Sequence, residues 1–231
     1  MPATRKVCLV RASRDKPVLF LDFDNTVTRG DVLDAVIERF SPDERWREWE
    51  QSWREGRLST EECLRRQMAN LRLSAPELLD FISTTVIDPY FASIVDWSAS
   101  EQVQLTIISD SFSLLIQAVL RNNGVKAVPV LANELAFFGD RVEAIFPYRD
   151  PSCPRCAHCK GQHLRRALGR TRIFVGDGLS DICAALHADV VFAKDSLAEY
   201  LTQRGVQFSP FRSLQPVLHF LETLSTPVVA R

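Results

Sequence analysis

The sequence predicts an α/β fold, a Rossmann-like parallel sheet core with an inserted helical cap, and three observations carry that prediction. Four short runs rich in Val, Ile or Phe, at Val18–Phe23, Leu105–Ser109, Arg172–Val175 and Val190–Ala193, are too short for helices and read as buried strands. Helical patterns follow three of them, at Phe112–Asn122, Ser180–His187 and Ser196–Arg204, and alternating strand and helix argues for a parallel sheet. The long interval between the first two strands carries helical patterns instead. The chain therefore divides into a core of residues 1–29 and 100–231 and a cap of residues 30–99.

The amino-terminal "MPATRKVCLVRASRDK" holds a short apolar run, less than a secretory signal requires, so a cytoplasmic location is expected. The first strand then runs into Asp22 and Asp24. The cap reads as helices over Asp31–Phe40, Asp43–Arg54, Thr60–Arg72 and Ala75–Ser83. Pro42 and Pro76 sit where helices begin, and "EGRLS" (55–59) reads as a break. Trp46, Trp49 and Trp53 recur at helical spacing. Such a stripe is either cap core or, in part, the wall of a pocket for a thioether or a choline headgroup. In "ELAFFGDRVEAIFP" (134–147), Gly139-Asp140 between apolar runs signals a hairpin. "YRDPSCPRCAH" (148–158) reads as a loop rich in Pro and Cys.

A composition of 46% hydrophobic and 25% charged residues is that of a packed globular chain. The formal net charge of −1 supplies no basic field, so no nucleic-acid partner is expected. No apolar run approaches the roughly 20 residues that span a bilayer, so no membrane partner is expected either. No pattern in the chain sets an oligomeric state.

Each predicted strand ends in polar residues: Asp22 and Asp24, Ser109 and Asp110, Gly176 and Asp177, Lys194 and Asp195. Open α/β sheets bind ligands beyond the carboxyl ends of their strands, so these groups can meet in one crevice. Thr26 completes D-x-D-x-T, "FVGDGLSD" (174–181) adds Asp177 and Asp181, and "IISDS" and "HCKG" add Ser109 and Lys160. Together they supply the parts of a phosphoryl-transfer site. A phosphate ester repels nucleophiles with its own charge, which a divalent cation and a lysine neutralise. A carboxylate can then attack phosphorus, and a second can protonate the leaving alcohol. Blander roles stay open: Ser109 satisfying backbone, Lys160 as an ordinary helix-start residue, Asp181 stabilising the first turn of its helix.

This set closely resembles the haloacid dehalogenase superfamily of phosphatases, over nearly the whole chain and including the cap. The resemblance implies Asp22 as nucleophile, Asp24 as general acid/base, and Ser109 and Lys160 on the phosphate. It implies Mg²⁺ held by Asp22, the Asp24 main-chain carbonyl and Asp177, with Asp181 as a further metal-site acid or as the group that orients the others. The cap position resembles the phosphoserine-phosphatase-like branch. Asp31, a possible substrate-binding residue, stands where phosphoserine phosphatases carry Glu, and Gln67 stands where they carry Arg. The "TRGD" segment, the loop running into "CK", and "VFAKDSLAEYLTQRGVQFSPF" (191–211) look more like the methionine-salvage phosphatases of 2-hydroxy-3-keto-5-methylthiopentenyl-1-phosphate. Phosphocholine/phosphoethanolamine phosphatases are similar as well. The expected activity is hydrolysis of a small phosphorylated metabolite through an aspartyl-phosphate. A non-catalytic binding module on the same fold is the alternative of another class.

Cys153, Cys156 and Cys159 fall at C-x₂-C-x₂-C, with His158 between. A structural zinc site takes four protein ligands, and the loop supplies three sulfurs. His158 or His163 could complete a set, whereas Cys8, Cys63 and Cys183 are scattered and read as packed thiols. The ligand count favours a reduced, packed loop over zinc.

Overall fold

The computed structural model describes residues 16–125 and 127–225. The amino-terminal run and Cys8 lie outside them. Among the described residues, one sheet has the order β4-β3-β2-β1-β5-β6-β7. Its strands are β1 (Val18–Leu21), β2 (Gln104–Phe112), β3 (Val130–Phe138), β4 (Arg141–Ile145), β5 (Arg172–Gly176), β6 (Val190–Ala193) and β7 (Ser209–Pro210). All neighbours pair in parallel except β3 and β4, which form the expected hairpin. β1 lies at the centre, and all of its residues are buried. That explains its unbroken apolar run: helices cover both faces of a parallel sheet, so neither face can be polar.

Four helices lie between β1 and the core helix α5: α1 (Val32–Phe40), α2 (Arg45–Arg54), α3 (Thr60–Asn70) and α4 (Ala75–Phe81). Their starts are written in capping residues. Asp31 accepts the Asp34 N–H at 2.8 Å, and Ser59 accepts the Glu62 N–H at 3.1 Å. The Glu77 carboxylate reaches back to the Ser74 N–H at 2.7 Å, with Pro76 in the first turn of α4. Trp46 is buried, while Trp49 packs at the edge of the same apolar cluster. α5 (Phe91–Ser100) packs on β2 and on α10 (Gln215–Ser225). The remaining helices are α6 (Ser113–Asn122), α7 (Lys160–Arg166), α8 (Ile182–Ala185) and α9 (Asp195–Gln203). No helix among the described residues is long and apolar enough to cross a membrane.

Two elements differ from expectation for local reasons. β2 continues through Asp110 and Ser111 to Phe112, because its pairing with β3 slips there. From Ile108 to Phe112, β2 advances four residues while β3 advances two, from Leu131 to Asn133. Such a bulge re-aims side chains at a strand end. The helix expected over Ser180–His187 divides into a 3₁₀ turn at Leu179–Asp181 and the short α8. The Asp181 carboxylate accounts for the turn, since it accepts the N–H groups of Asp177 and Gly178 at 3.0 Å each.

Candidate active site

The carboxyl ends of β1, β2 and β5 open into a cavity of about 320 Å³. Asp22, Asp24, Asp31, Ser109, Lys160, Asp177 and Gln67 all line it, so the polar strand ends do share one space. Asp181 lies beneath, fully buried.

Asp22 follows β1 directly, and its N–H still donates to Val175 O at 2.9 Å, which continues the β1–β5 alignment by one residue. The chain then turns sharply. The N–H groups of Thr26, Val27 and Thr28 all converge on Phe23 O, and Asn25 adopts a left-handed φ of 52°. Asn is among the few residues with a side chain that tolerate this conformation. The turn swings Asp24 toward α1, where one carboxylate oxygen accepts the Val32 and Leu33 N–H groups at 2.9 and 3.2 Å. Asp24 thus sits on the electropositive end of a helix. Burial nevertheless pushes its carboxyl up to about 8, helped by Asp31 and opposed by those two hydrogen bonds.

Lys160 opens α7 and is only 1% exposed. Its ammonium donates to Asp22 Oδ1 and Asp181 Oδ1, both at 2.6 Å. A helix N-terminus is a poor place for a cation, so these carboxylates carry the position. Burial opposes the lysine charge, but Asp181 and Asp22 outweigh it and hold the ammonium well above its ordinary range. Asp22 is raised well above the usual carboxylate range by burial first and by Asp181 next, with Lys160 pulling it back. The reading of Lys160 as an ordinary helix-start residue is therefore set aside on geometry.

Asp181 uses one oxygen on Lys160 and the other on the turn after β5. The turn leaves no room for a side chain at Gly176: a Cβ there would lie 2.5 Å from Asp181 Oδ2. Asp177, freed to face the cavity, accepts Asn25 Nδ2 at 2.9 Å and Thr26 Oγ1 at 2.8 Å. Oxygens of Asp22, Asp177 and Asp181 lie within 4.8 Å of one another. These are hard oxygen donors, the set that suits Mg²⁺. Ser109 lies in the β2 bulge, buried, and its hydroxyl accepts the Ser111 N–H at 3.0 Å.

Several contacts around the site escaped the sequence reading. Asn25 joins Asp177 to Asp195, donating to both at 2.9 Å. Its place inside "DFDNT" was the available signal. Asp110 accepts the His158 N–H at 2.9 Å, docking the cysteine loop onto the end of β2. The His158 ring nitrogens meet Ser109 O at 3.0 Å and His163 Nε2 at 2.6 Å. Both ring nitrogens of His158 are thus engaged, and the group of sulfurs that lie together includes no histidine. Cys183, read as a scattered thiol, instead lies beside that loop, with its sulfur 3.7 Å from that of Cys156. Two positions distant in sequence meet there, which local spacing cannot reveal. Trp53 lines the cavity and donates its indole N–H to Thr60 Oγ1 at 3.0 Å.

Residues 17–207 match the family described as Putative Phosphatase. A 2-hydroxy-3-keto-5-methylthiopentenyl-1-phosphate phosphatase from Brevibacillus brevis is 30% identical over 93% of this chain and 99% of its own. The enzyme so named from Geobacillus kaustophilus is 26% identical over 91% of this chain and 98% of its own. Among solved structures, a substrate-bound phosphoserine phosphatase superposes with a TM-score of 0.70 at 17% identity, over 89% of this chain and 98% of that one. A phosphoserine phosphatase carrying a phospho-aspartyl intermediate analogue gives 0.67 at 18%, over 89% and 99%. Matched along most of its length both by the family and by a near-full-length relative, the chain belongs to the Putative Phosphatase family and is a phosphoric monoester hydrolase with the haloacid dehalogenase-like fold.

Proposed function

We propose that the cavity hydrolyses a small phosphate monoester by transient phosphorylation of Asp22, with 2-hydroxy-3-keto-5-methylthiopentenyl-1-phosphate as the substrate. The observation that carries the chemistry is the Lys160 ammonium held between Asp22 and Asp181 at the cavity floor. A fixed positive charge beside a carboxylate is what a dianionic phosphoryl group needs as it approaches. The substrate rests on the printed names of the relatives.

In this reading an Asp22 oxygen attacks phosphorus, the P–O bond to the leaving group breaks, and Asp24 delivers its proton to the departing oxygen. Its carboxyl, raised to about 8 by burial, carries that proton at neutral pH. Asp24, now a carboxylate, takes a proton from water as that water attacks the phosphoryl group, releasing phosphate and restoring Asp22. Ser109 and Lys160 orient the phosphoryl oxygens, and Asp181 positions Lys160. Asp22, Asp177 and the Asp24 main-chain carbonyl would hold Mg²⁺, which when bound neutralises phosphoryl charge. Of the cap expected over residues 30–99, the helices α1 to α4 shield the reaction from water, while α5 packs on the core.

One observation favours a second substrate class. Asp31, Asp34 and Glu50 line the cavity together, with Arg54 and Lys160 as the cations among the residues lining it. An acidic lining suits an amine-bearing ester such as phosphocholine or phosphoethanolamine. Gln67, which also lines the cavity, offers no cation for the phosphoserine carboxylate.

A phosphate-release screen over the methylthio enol phosphate, phosphocholine, phosphoethanolamine and phosphoserine tests both readings. The enol phosphate is expected to give the highest kcat/KM. Preference for an amine ester would move the assignment to the second class, and release from none of the four would sink both. Activity is expected to vanish in chelator and return with Mg²⁺; full turnover in chelator would remove the metal from the reading.

A further inference from the structure

The loop between β4 and α7 and the start of α8 bring Cys153, Cys156, Cys159 and Cys183 together, with all four sulfurs within 4.8 Å of one another. We propose that these four sulfurs form a closed structural zinc site, separate from the acidic cluster of the catalytic cavity.

Geometry argues for a metal over a disulfide. A tetrahedron of zinc–sulfur bonds of about 2.3 Å places its sulfurs roughly 3.8 Å apart. The Cys156–Cys183 separation is 3.7 Å, far beyond a covalent bond of about 2.05 Å. A disulfide would use two sulfurs and explain nothing about the other two. Four sulfurs converging on one point match the ligand number of structural zinc and leave no open position for substrate. Donor chemistry separates the ions too, since thiolates select zinc while the carboxylates select magnesium. On binding, four S–H protons leave to solvent and four zinc–sulfur bonds form.

The surroundings show what such an ion holds. The loop has no helix or strand between Phe146 and Cys159, and few apolar side chains to order it. Cys159 is the residue before Lys160, so its sulfur would anchor the first turn of α7. Cys183 belongs to α8, two residues after Asp181. Gly161 lets the two helices touch: a Cβ there would lie 2.6 Å from Cys183 O. None of the four cysteines is among the residues lining the cavity, and the zinc would clamp the segments that supply Lys160 and Asp181.

Metal analysis of the full chain, purified reduced and without chelator, tests this. About one zinc per chain is expected, from one four-ligand site. After exchange with cobalt, the sulfur-to-cobalt charge-transfer bands and visible d–d bands of a tetrahedral four-thiolate site should appear. Cys183→Ser should lose the zinc, while Cys63→Ser, at a buried thiol outside the cluster, should keep it. If Cys183→Ser fails to fold, the zinc content and cobalt spectrum of the unaltered chain still decide. Folded, reduced protein that holds no zinc and takes up no cobalt would overturn the proposal. So would iron in the same sulfurs, a Cys156–Cys183 disulfide in metal-free protein, or zinc retained in full by Cys183→Ser.

Discussion

The floor and the roof of the cavity are built on opposite principles. On the floor, Asp22, Asp177, Asp181 and Lys160 are held by short contacts from strands and turns distant in sequence, and both oxygens of Asp177 and of Asp181 have a partner. On the roof, Asp31, Asp34 and Glu50 come from two helices adjacent in sequence, and several are open to the cavity. Glu50 is tied to Arg54 one turn away at 2.9 Å, and Asp31 spends an oxygen capping its own helix. The floor is preorganised for charge that develops during reaction, whereas the roof offers side chains that one substitution can exchange. A single scaffold can therefore keep one chemistry while its substrate changes.

The contrast can be broken most sharply at Asp22. Asp22→Asn keeps shape and removes the proposed nucleophile, so kcat should fall by at least ~10³-fold for every ester tried. Turnover within a few-fold of the unaltered enzyme would show that the floor does other work. The roof should respond selectively. Glu50→Gln is expected to leave p-nitrophenyl phosphate hydrolysis nearly unchanged and to lower kcat/KM for an amine ester by about tenfold, the scale of one lost charge contact. An equal loss on both substrates would erase the distinction between the two surfaces. The smallest effect is expected from pH. Desolvation by the surrounding walls, with Asp31 and Glu50, pushes Asp34 up to about 7. Its carboxyl is therefore neutral below that pH and charged above it. KM for an amine ester should fall a few-fold as pH rises through about 7, while KM for an ester whose alcohol part bears no charge stays level over the same interval. Matching profiles for the two would remove Asp34 from substrate recognition.

The same contrast governs how much of the molecule could be read beforehand. β1, β5 and β6 announce themselves because burial on both faces forces unbroken apolar runs, and the floor residues follow each strand at short range. The helices of the roof were readable from their helical patterns, from Pro42 and Pro76 near their starts and from the break at residues 55–59. The end of β2 was not, because a bulge is set by pairing with β3 and not by its own residues. Nor was the short α8, where one buried carboxylate reshapes the preceding turn. Cys183 was the clearest failure: its meaning depends on a loop 24 residues earlier at its nearest cysteine, Cys159, and only folding supplies that neighbour. The contact between Asp110 and His158 was hidden for the same reason, although each residue was named from the sequence.

One main-chain contact ties the start of α3 to the cysteine loop. The Thr60 N–H, at the start of α3, donates to Arg155 O in the cysteine loop at 2.8 Å. The Arg149–Glu61 ion pair at 2.9 Å doubles the tie one residue further along α3. Any outward swing of α3 to admit an ester or discharge phosphate must either snap this tether or drag the loop with it.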